Sequence, residues 1–355
     1  MSSWRGHRRG LTIVEVLVLL ACLVALVAMG LPAFQRLGCS AMRMTSRANL
    51  ALLSEAHAMY AVDWSNRQFT FTPDTLGVAG GNISAWEQLN GCVPQALLGE
   101  DHQGVPFRMG TECADLNLAE KDNWIKPLSF GQDFTTKTAY RLANARLVNV
   151  YLNGRFYDPL FYAPDDPLVT EELRDAQKQG ADFAELSTGL IPSTYAYSPA
   201  AMYDPRVFGL GWSGTNPPWR NPDADPFLGG MGYQSPSVTQ CVYPSLKTKL
   251  MEMWTIENPR IPCMSYSPPG ECVPLQWNHS YRSRPLTLFF DGSVRIMTPR
   301  EPQYAEQLST TKLWLRTTPL GSNGYLGGSA DDFLVRTSAH FLTTFGIAGR
   351  DTISY

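Results

Sequence analysis

Glu15 is the only carboxylate in a 24-residue apolar run from Leu11 to Phe34. A charge within a membrane-spanning helix costs roughly 2.5–3.5 kcal/mol on insertion scales, and less near an end, so a carboxylate is seldom there without a partner. Other residues with chemical potential are scattered. Asp223 and Asp225 in NPDADP offer the hard oxygen ligands that calcium takes, although neither EF-hand spacing nor a distal Glu follows, and a solvated turn explains them as well. His279 and Asp291 form a His–Asp pair, which many hydrolytic sites need but which is far from sufficient. No G-x-S-x-G elbow, H-E-x-x-H helix or P-loop accompanies them. The chain therefore reads as a non-enzyme, with Asp291 as a turn residue tolerating positive φ and His279 as a polar tie between a loop and a sheet.

Seven cysteines complete the reactive inventory, and no two make a C-x-x-C pair, which argues against a zinc ribbon or a thioredoxin-like motif. Cys22 lies in the apolar run and Cys39 just beyond it. In an oxidising compartment, Cys92 with Cys113 and Cys263 with Cys272 are the candidate disulfides by proximity. Connectivity stays open, and that scheme leaves Cys241 over.

These residues need elements to position them. At ~1.5 Å per residue the apolar run reaches across a ~30 Å hydrocarbon core, so residues 11–34 read as a transmembrane span. Arg5, Arg8 and Arg9 precede it, which favours a cytoplasmic N terminus and places the bulk outside the inner leaflet. Of 29 basic residues those three fall in the first ten, so positions 11–355 carry 26 against 32 acidic residues, a net of −6. That balance argues against nucleic acid as the principal ligand.

The helix signal continues past Pro32, with no further proline before Pro73. Leu50, Leu53 and Tyr60 mark its packing face, and Asp63-Trp64-Ser65-Asn66 its end. Beyond it, ISAWEQL reads as a short helix, RLVNVYL–Asn153-Gly154–RFYDPLFYAP as a hairpin, residues 168–186 as a polar helix and STYAYS as a strand. KLMEMWTIENP reads as a strand with one buried face. Residues 199–236, rich in Pro, Gly, Asp and Trp, read as a long surface excursion. LTLFF-Asp291-Gly292-SVRIM is a second hairpin signal. TKLWLRTT reads as a strand, and residues 332–347 as a helix.

Three readings of the N terminus compete. The run is too long for a secretory signal peptide and lacks a convincing A-x-A site. An ordinary signal anchor leaves the positions of Gly10, Glu15 and Pro32 unexplained. The third rests on RRG-LTIVEVLV, which resembles the class III leader of the type IV pilin and type II secretion pseudopilin family. The resemblance covers about the first 50 residues. It implies cleavage between Gly10 and Leu11 by a prepilin peptidase that also N-methylates Leu11. Glu15 becomes the fifth mature residue and Pro32 the twenty-second. The family pairs this Glu with the N-terminal amine of a neighbouring subunit, so Glu15 is implied to meet the amine of another Leu11. Leu stands where Phe or Met is commoner.

A second resemblance lies near the C-terminal side. His279, Asp291 and Gly292 are similar to the His-x(n)-Asp-Gly segment of prepilin-like proteins abundant in planctomycetes, which ends in a phrase like FADGHV. Here eleven residues rather than the usual nine separate His279 from Asp291, and Ser293 stands where His is frequent.

The expected fold is α+β and pilin-like: a leader at 1–10, a helix at 11–63 that is transmembrane over 11–34, and a loop-rich extracytoplasmic head at 64–355. The long helix is expected to pack on an antiparallel sheet. The expected function is a structural (pseudo)pilin subunit of a pilus-like or secretion-like filament at the bacterial inner membrane. Its partners would be the prepilin peptidase, like or related pilin subunits and an inner-membrane assembly platform, with no cofactor beyond candidate calcium. The alternative is a membrane-tethered binder of polysaccharide or peptide, using exposed Trp and Tyr of residues 203–233.

Overall fold

The computed structural model describes residues 13–70, 72–91, 96–100, 106–109, 125–128, 130, 139–164, 166, 171–179, 192–209, 211, 218–252, 284–315, 317–319, 321–322 and 337–353. The chain divides into two units, Met1–Thr45 and Ser46–Tyr355.

The first helix, α1, is assigned over Ile13–Asp63. In the first unit its described apolar side chains face outward, from Ile13 at 80% exposure to Leu23 at 63%. In the second unit Ser46, Leu50, Leu53, His57 and Tyr60 are buried at spacings of three and four, the stripe by which a helix joins a core. The helix stops where the backbone turns left-handed at Ser65 and Asn66 (φ 56° and 62°), and the Asn66 N–H donates to the Ala61 carbonyl at 2.6 Å. Asn takes up that conformation more readily than most residues.

One expectation is corrected here. The pilin-like architecture required a long transmembrane helix packed on the sheet, yet among the described residues no helix is long and apolar enough to cross a membrane. Within the apolar run the described side chains are those of residues 13–23. Only the turns from Ser46 onward belong to the compact unit that holds the sheet.

After α1 come α2 (Ile83–Asn90), begun by Asn82, whose side chain accepts from the Ala85 N–H at 2.9 Å, and an antiparallel pair, β1 (Ala96–Glu100) and β2 (Pro106–Met109). The expected hairpin at 146–164 does not form. Arg146–Asn149 is a helical turn, α3, and Gly154 (φ +75°) closes it by donating its N–H to the Asn149 carbonyl at 2.8 Å. Pro159 then starts a 3₁₀ turn whose Leu160 N–H is capped by the Asp158 carboxylate at 2.9 Å. Proline cannot donate to a ladder, and an aspartate just ahead of it supplies the cap, so Asp-Pro outweighs β-propensity at this point. The same device recurs at Asp204-Pro205 and Asp225-Pro226.

α4 (Glu171–Gln179) follows, then the first strand of the main sheet, β3 (Tyr195–Tyr197). The sheet is antiparallel in the order β3-β4-β5-β6, with β4 at Thr248–Glu252, β5 at Leu286–Phe289 and β6 at Val294–Ile296. All five residues of β4 are buried, where the alternation had indicated one buried face. The strand is interior to the sheet and is held at both ends. Ser46 of α1 hydrogen-bonds Glu252, and the C-terminal segment reaches Thr248. Residues 199–236 are corrected too: Ala200, Met202, Tyr203, Phe208 and Tyr233 are core residues, so much of the stretch is interior. α5 (Arg300–Leu308) and the short pair β7 (Thr317–Thr318) and β8 (Gly321–Ser322) complete the elements described.

The expected helix from Asp332 is absent from the part described. Residues 337–345 form turns, and His340 and Phe345 sit at φ 73° and 65°, which a right-handed helix does not contain.

Glycines let two loops approach closely. Gly77 and Gly81 meet residues 222 and 223, and Gly230 lies against Val78. A Cβ on Gly81, itself at φ +72°, would stand 1.8 Å from Asp223 Oδ1. Gly81→Ala is expected to lose about 1–3 kcal/mol of stability, read from the denaturant midpoint at unchanged slope.

Candidate functional site

The residues with chemical potential fall into separate places. Glu15 is exposed in the first turn of α1, and the helical assignment runs through Pro32. Gly10, Leu11, Cys92, Cys113, Cys263, Cys272 and His279 lie outside the described residues. Cys22 and Cys241 are free thiols, and burial pushes the Cys241 thiol up to about 11.

Asp291 and Gly292 form the turn between β5 and β6, in the register Leu286↔Ile296 and Leu288↔Val294. Gly292, not Asp291, takes the positive φ of +83°. The Gly292 N–H donates to the Phe289 carbonyl at 3.0 Å, and the Phe289 N–H to the Ser293 carbonyl at 2.9 Å. This is a three-residue hairpin loop closed by a left-handed glycine, rather than the two-residue turn that Asp-Gly suggests. Asp291 Oδ1 accepts from the Ser293 amide at 2.9 Å and hydroxyl at 2.6 Å, which assigns its carboxylate to the turn itself.

The candidate calcium ligands are also occupied by protein. Asp223 accepts from the Tyr233 hydroxyl and faces Lys126 Nζ at 3.5 Å. Asp225 caps the Phe227 amide at 2.8 Å and faces Arg220 at 3.5 Å. Among the described residues no group of three His, Cys, Asp or Glu is placed to hold a metal ion.

The densest polar constellation is one that the sequence reading missed. Lys247 Nζ donates to Asp351 Oδ2 at 2.8 Å, and both side chains are fully buried. The same Nζ donates to Ser198 Oγ at 2.8 Å and to Thr343 Oγ1 at 2.9 Å. Asp351 Oδ2 also accepts from the Thr248 amide at 2.9 Å and hydroxyl at 2.5 Å. Its Oδ1 accepts from the His340 amide at 2.7 Å and the Thr343 hydroxyl at 2.5 Å. His340 Nδ1 in turn meets Thr248 Oγ1 at 2.8 Å.

Desolvation alone would push the Asp351 carboxyl up, but the charge of Lys247 and the hydrogen bonds outweigh it and hold the group at about 2. Burial lowers Lys247, and Asp351 opposes that shift. Burial, followed by the charge of Lys247, brings the His340 imidazole down to about 3, so it is neutral. Lysine, serine and histidine together suggest hydrolysis, but Ser198, Lys247 and His340 each expose 0% of their surface and offer an external substrate no approach. What the cluster does is tie β4, the turn after β3 and the C-terminal segment together. The repeated lysines of Lys247-Thr248-Lys249 in a buried strand were the available signal. Reading residues 332–347 as a helix hid its partners.

A second buried contact joins α1 to β3. His57 Nδ1 lies 2.5 Å from the Leu53 carbonyl, and its Nε2 hydrogen-bonds the Tyr197 hydroxyl. Burial, and secondarily Lys249, keep this imidazole well below its ordinary range. A cleft of about 290 Å³ opens beside the end of α1, lined by Ser65, Arg67, Asp204, Gln234 and Gln240 among others.

No family model, curated protein or solved structure matches this chain. The functional reading therefore rests on residues and geometry.

Of the aromatic residues considered for sugar or peptide binding, the two tyrosines are interior, Trp219 is half-buried and Trp212 lies outside the described residues. Tyr203 and Tyr233 are 0% and 1% exposed, and the Tyr203 hydroxyl donates to the Leu128 carbonyl.

Proposed function

We propose that the chain is a structural subunit of a type IV pilus-like or type II secretion-like filament. It is released from its leader between Gly10 and Leu11 by a prepilin peptidase that N-methylates Leu11. The observation that carries this reading is the spacing of Gly10, Glu15 and Pro32 behind a leader containing Arg5, Arg8 and Arg9. Each residue means little alone; together they satisfy the needs of processing and assembly at once.

The physical support is the surface of α1. From Ile13 to Leu23 its described apolar side chains are 48% to 80% exposed, a contiguous surface that a soluble monomer rarely leaves in water. Burying it against the same segment of like or related subunits supplies the driving force for assembly. Glu15 sets the register by accepting from the methylated amine of a neighbouring Leu11, a pairing that methylation preserves because the nitrogen keeps its charge. Processing and assembly are placed at the bacterial inner membrane, with the head on the extracytoplasmic side and the assembly platform as partner. The role is structural rather than catalytic, and it needs no cofactor.

Glu15→Ala is expected to leave the head folded while reducing recovery in sheared or co-purified filaments at least tenfold. The measurement is the ratio of filament-associated to total subunit in cells. Wild-type recovery of the variant would count against register-setting by Glu15.

A further inference from the structure

The Lys247–Asp351 contact brings an amine nitrogen to a carboxyl oxygen at 2.8 Å in a fully desolvated site, with a separation of 104 residues along the chain. From this geometry we propose that the two side chains condense to an intramolecular amide, which ties the C-terminal segment covalently to β4.

The atoms needed are all present. Proton transfer across the contact turns ammonium and carboxylate into amine and carboxylic acid. Nζ then bonds to Asp351 Cγ. The charge that develops on Oδ1 is received by two donors already in place, the His340 amide at 2.7 Å and the Thr343 hydroxyl at 2.5 Å. Donors aimed at a developing oxyanion in a dry site are the arrangement that most favours acyl transfer.

Oδ2 is the leaving oxygen, and Thr248 Oγ1 lies 2.5 Å from it with His340 Nδ1 2.8 Å behind. The Thr248 hydroxyl donates to Oδ2 and so orients the leaving oxygen, while both protons that oxygen takes come from Nζ. Of the three ammonium protons, one stays on the amide nitrogen and two depart with Oδ2 as water. The C–O bond breaks as the C–N bond forms, and nothing is oxidised or reduced. Ser198 Oγ and Thr343 Oγ1, each within 2.9 Å of Nζ, are positioning residues that hold the amine. Thr248 and His340 are positioning residues for the departing oxygen.

The test is peptide mapping by mass spectrometry of the purified full-length protein, reduced, denatured and digested with trypsin. The expected result is a branched peptide joining residue 247 to residue 351, lighter by one water than its two parts, with cleavage after Lys247 lost. Lys247→Arg, which keeps the charge but not the nucleophile, is expected to lack it. If the peptides containing Lys247 and Asp351 are recovered only unlinked from the wild-type protein, the proposal is overturned.

Discussion

Asp351→Ala is expected to destabilise the head by about 3–5 kcal/mol, the loss seen when one partner of a buried pair is removed and the other stays uncompensated. Lys247 would remain fully buried with only the Ser198 and Thr343 hydroxyls for company. Two backbone amides, those of Thr248 and His340, would lose their acceptor at the same time. The loss is expected for the ionic pair and for the amide alike, since both need Asp351. Replacing the pair together, by Lys247→Met with Asp351→Leu, is expected to cost less than Asp351→Ala alone, because a well-packed apolar pair leaves no buried charge. Chemical denaturation of the three variants compares these outcomes. A double variant no better than the single one would show that the cluster's value lies in its backbone hydrogen bonds rather than in charge.

The second large effect is acid destabilisation through histidines. His340 is held at about 3 by burial and then by Lys247, with Asp351 acting in the opposite sense. His57 is lowered by burial and then by Lys249, while its hydrogen bond to the Leu53 carbonyl opposes the shift. Both are neutral in the folded protein, whereas in the unfolded chain they take up a proton near pH 6.5. Between about pH 6.5 and 3 the unfolded state therefore binds more protons, and stability falls as pH falls. At about 1.4 kcal/mol per pH unit for each group, His340 alone accounts for roughly 3–5 kcal/mol across that window. Where Asp351 is a free carboxylate its own contribution persists through most of that window, being lost only between about pH 4 and 2; once condensed with Lys247 it does not titrate. Unfolding midpoints at pH 7, 6, 5 and 4 are expected to drop steadily, with a shallower slope in His340→Gln. A flat profile over that range would mean that neither imidazole is buried in the neutral form.

The parts of the fold that sequence revealed are those where local pattern and tertiary placement agree. The three-and-four spacing of Leu50, Leu53 and Tyr60, the strand at Tyr195–Tyr197 and the Asp291-Gly292 hairpin are of this kind. Where they disagree, a local backbone device decided the outcome. Asp158-Pro159 turns an aromatic, β-rich stretch into a 3₁₀ turn, and left-handed His340 and Phe345 break what helical spacing suggested.

The apolar run at the N terminus was legible as a composition. The architecture drawn from it was not, because a hydrophobic stretch does not specify what will cover it. The Lys247–Asp351 cluster was illegible for a different reason. Its members, Ser198, Lys247, Thr248, His340, Thr343 and Asp351, are scattered along the chain with no fixed spacing, and only the folded sheet brings them together. A fully satisfied buried network is as polar in sequence as a solvated surface, so polarity alone does not mark it.

The proposed role depends on processing and assembly of the chain through its N-terminal segment. The most direct measurement is mass spectrometry of the N terminus of native protein from its own cells, combined with crosslinking through residues 11–34. The prediction is a mature chain beginning at N-methylated Leu11, crosslinked to a like or related subunit. A functional protein that still begins at Met1, or that captures no such neighbour, would contradict it.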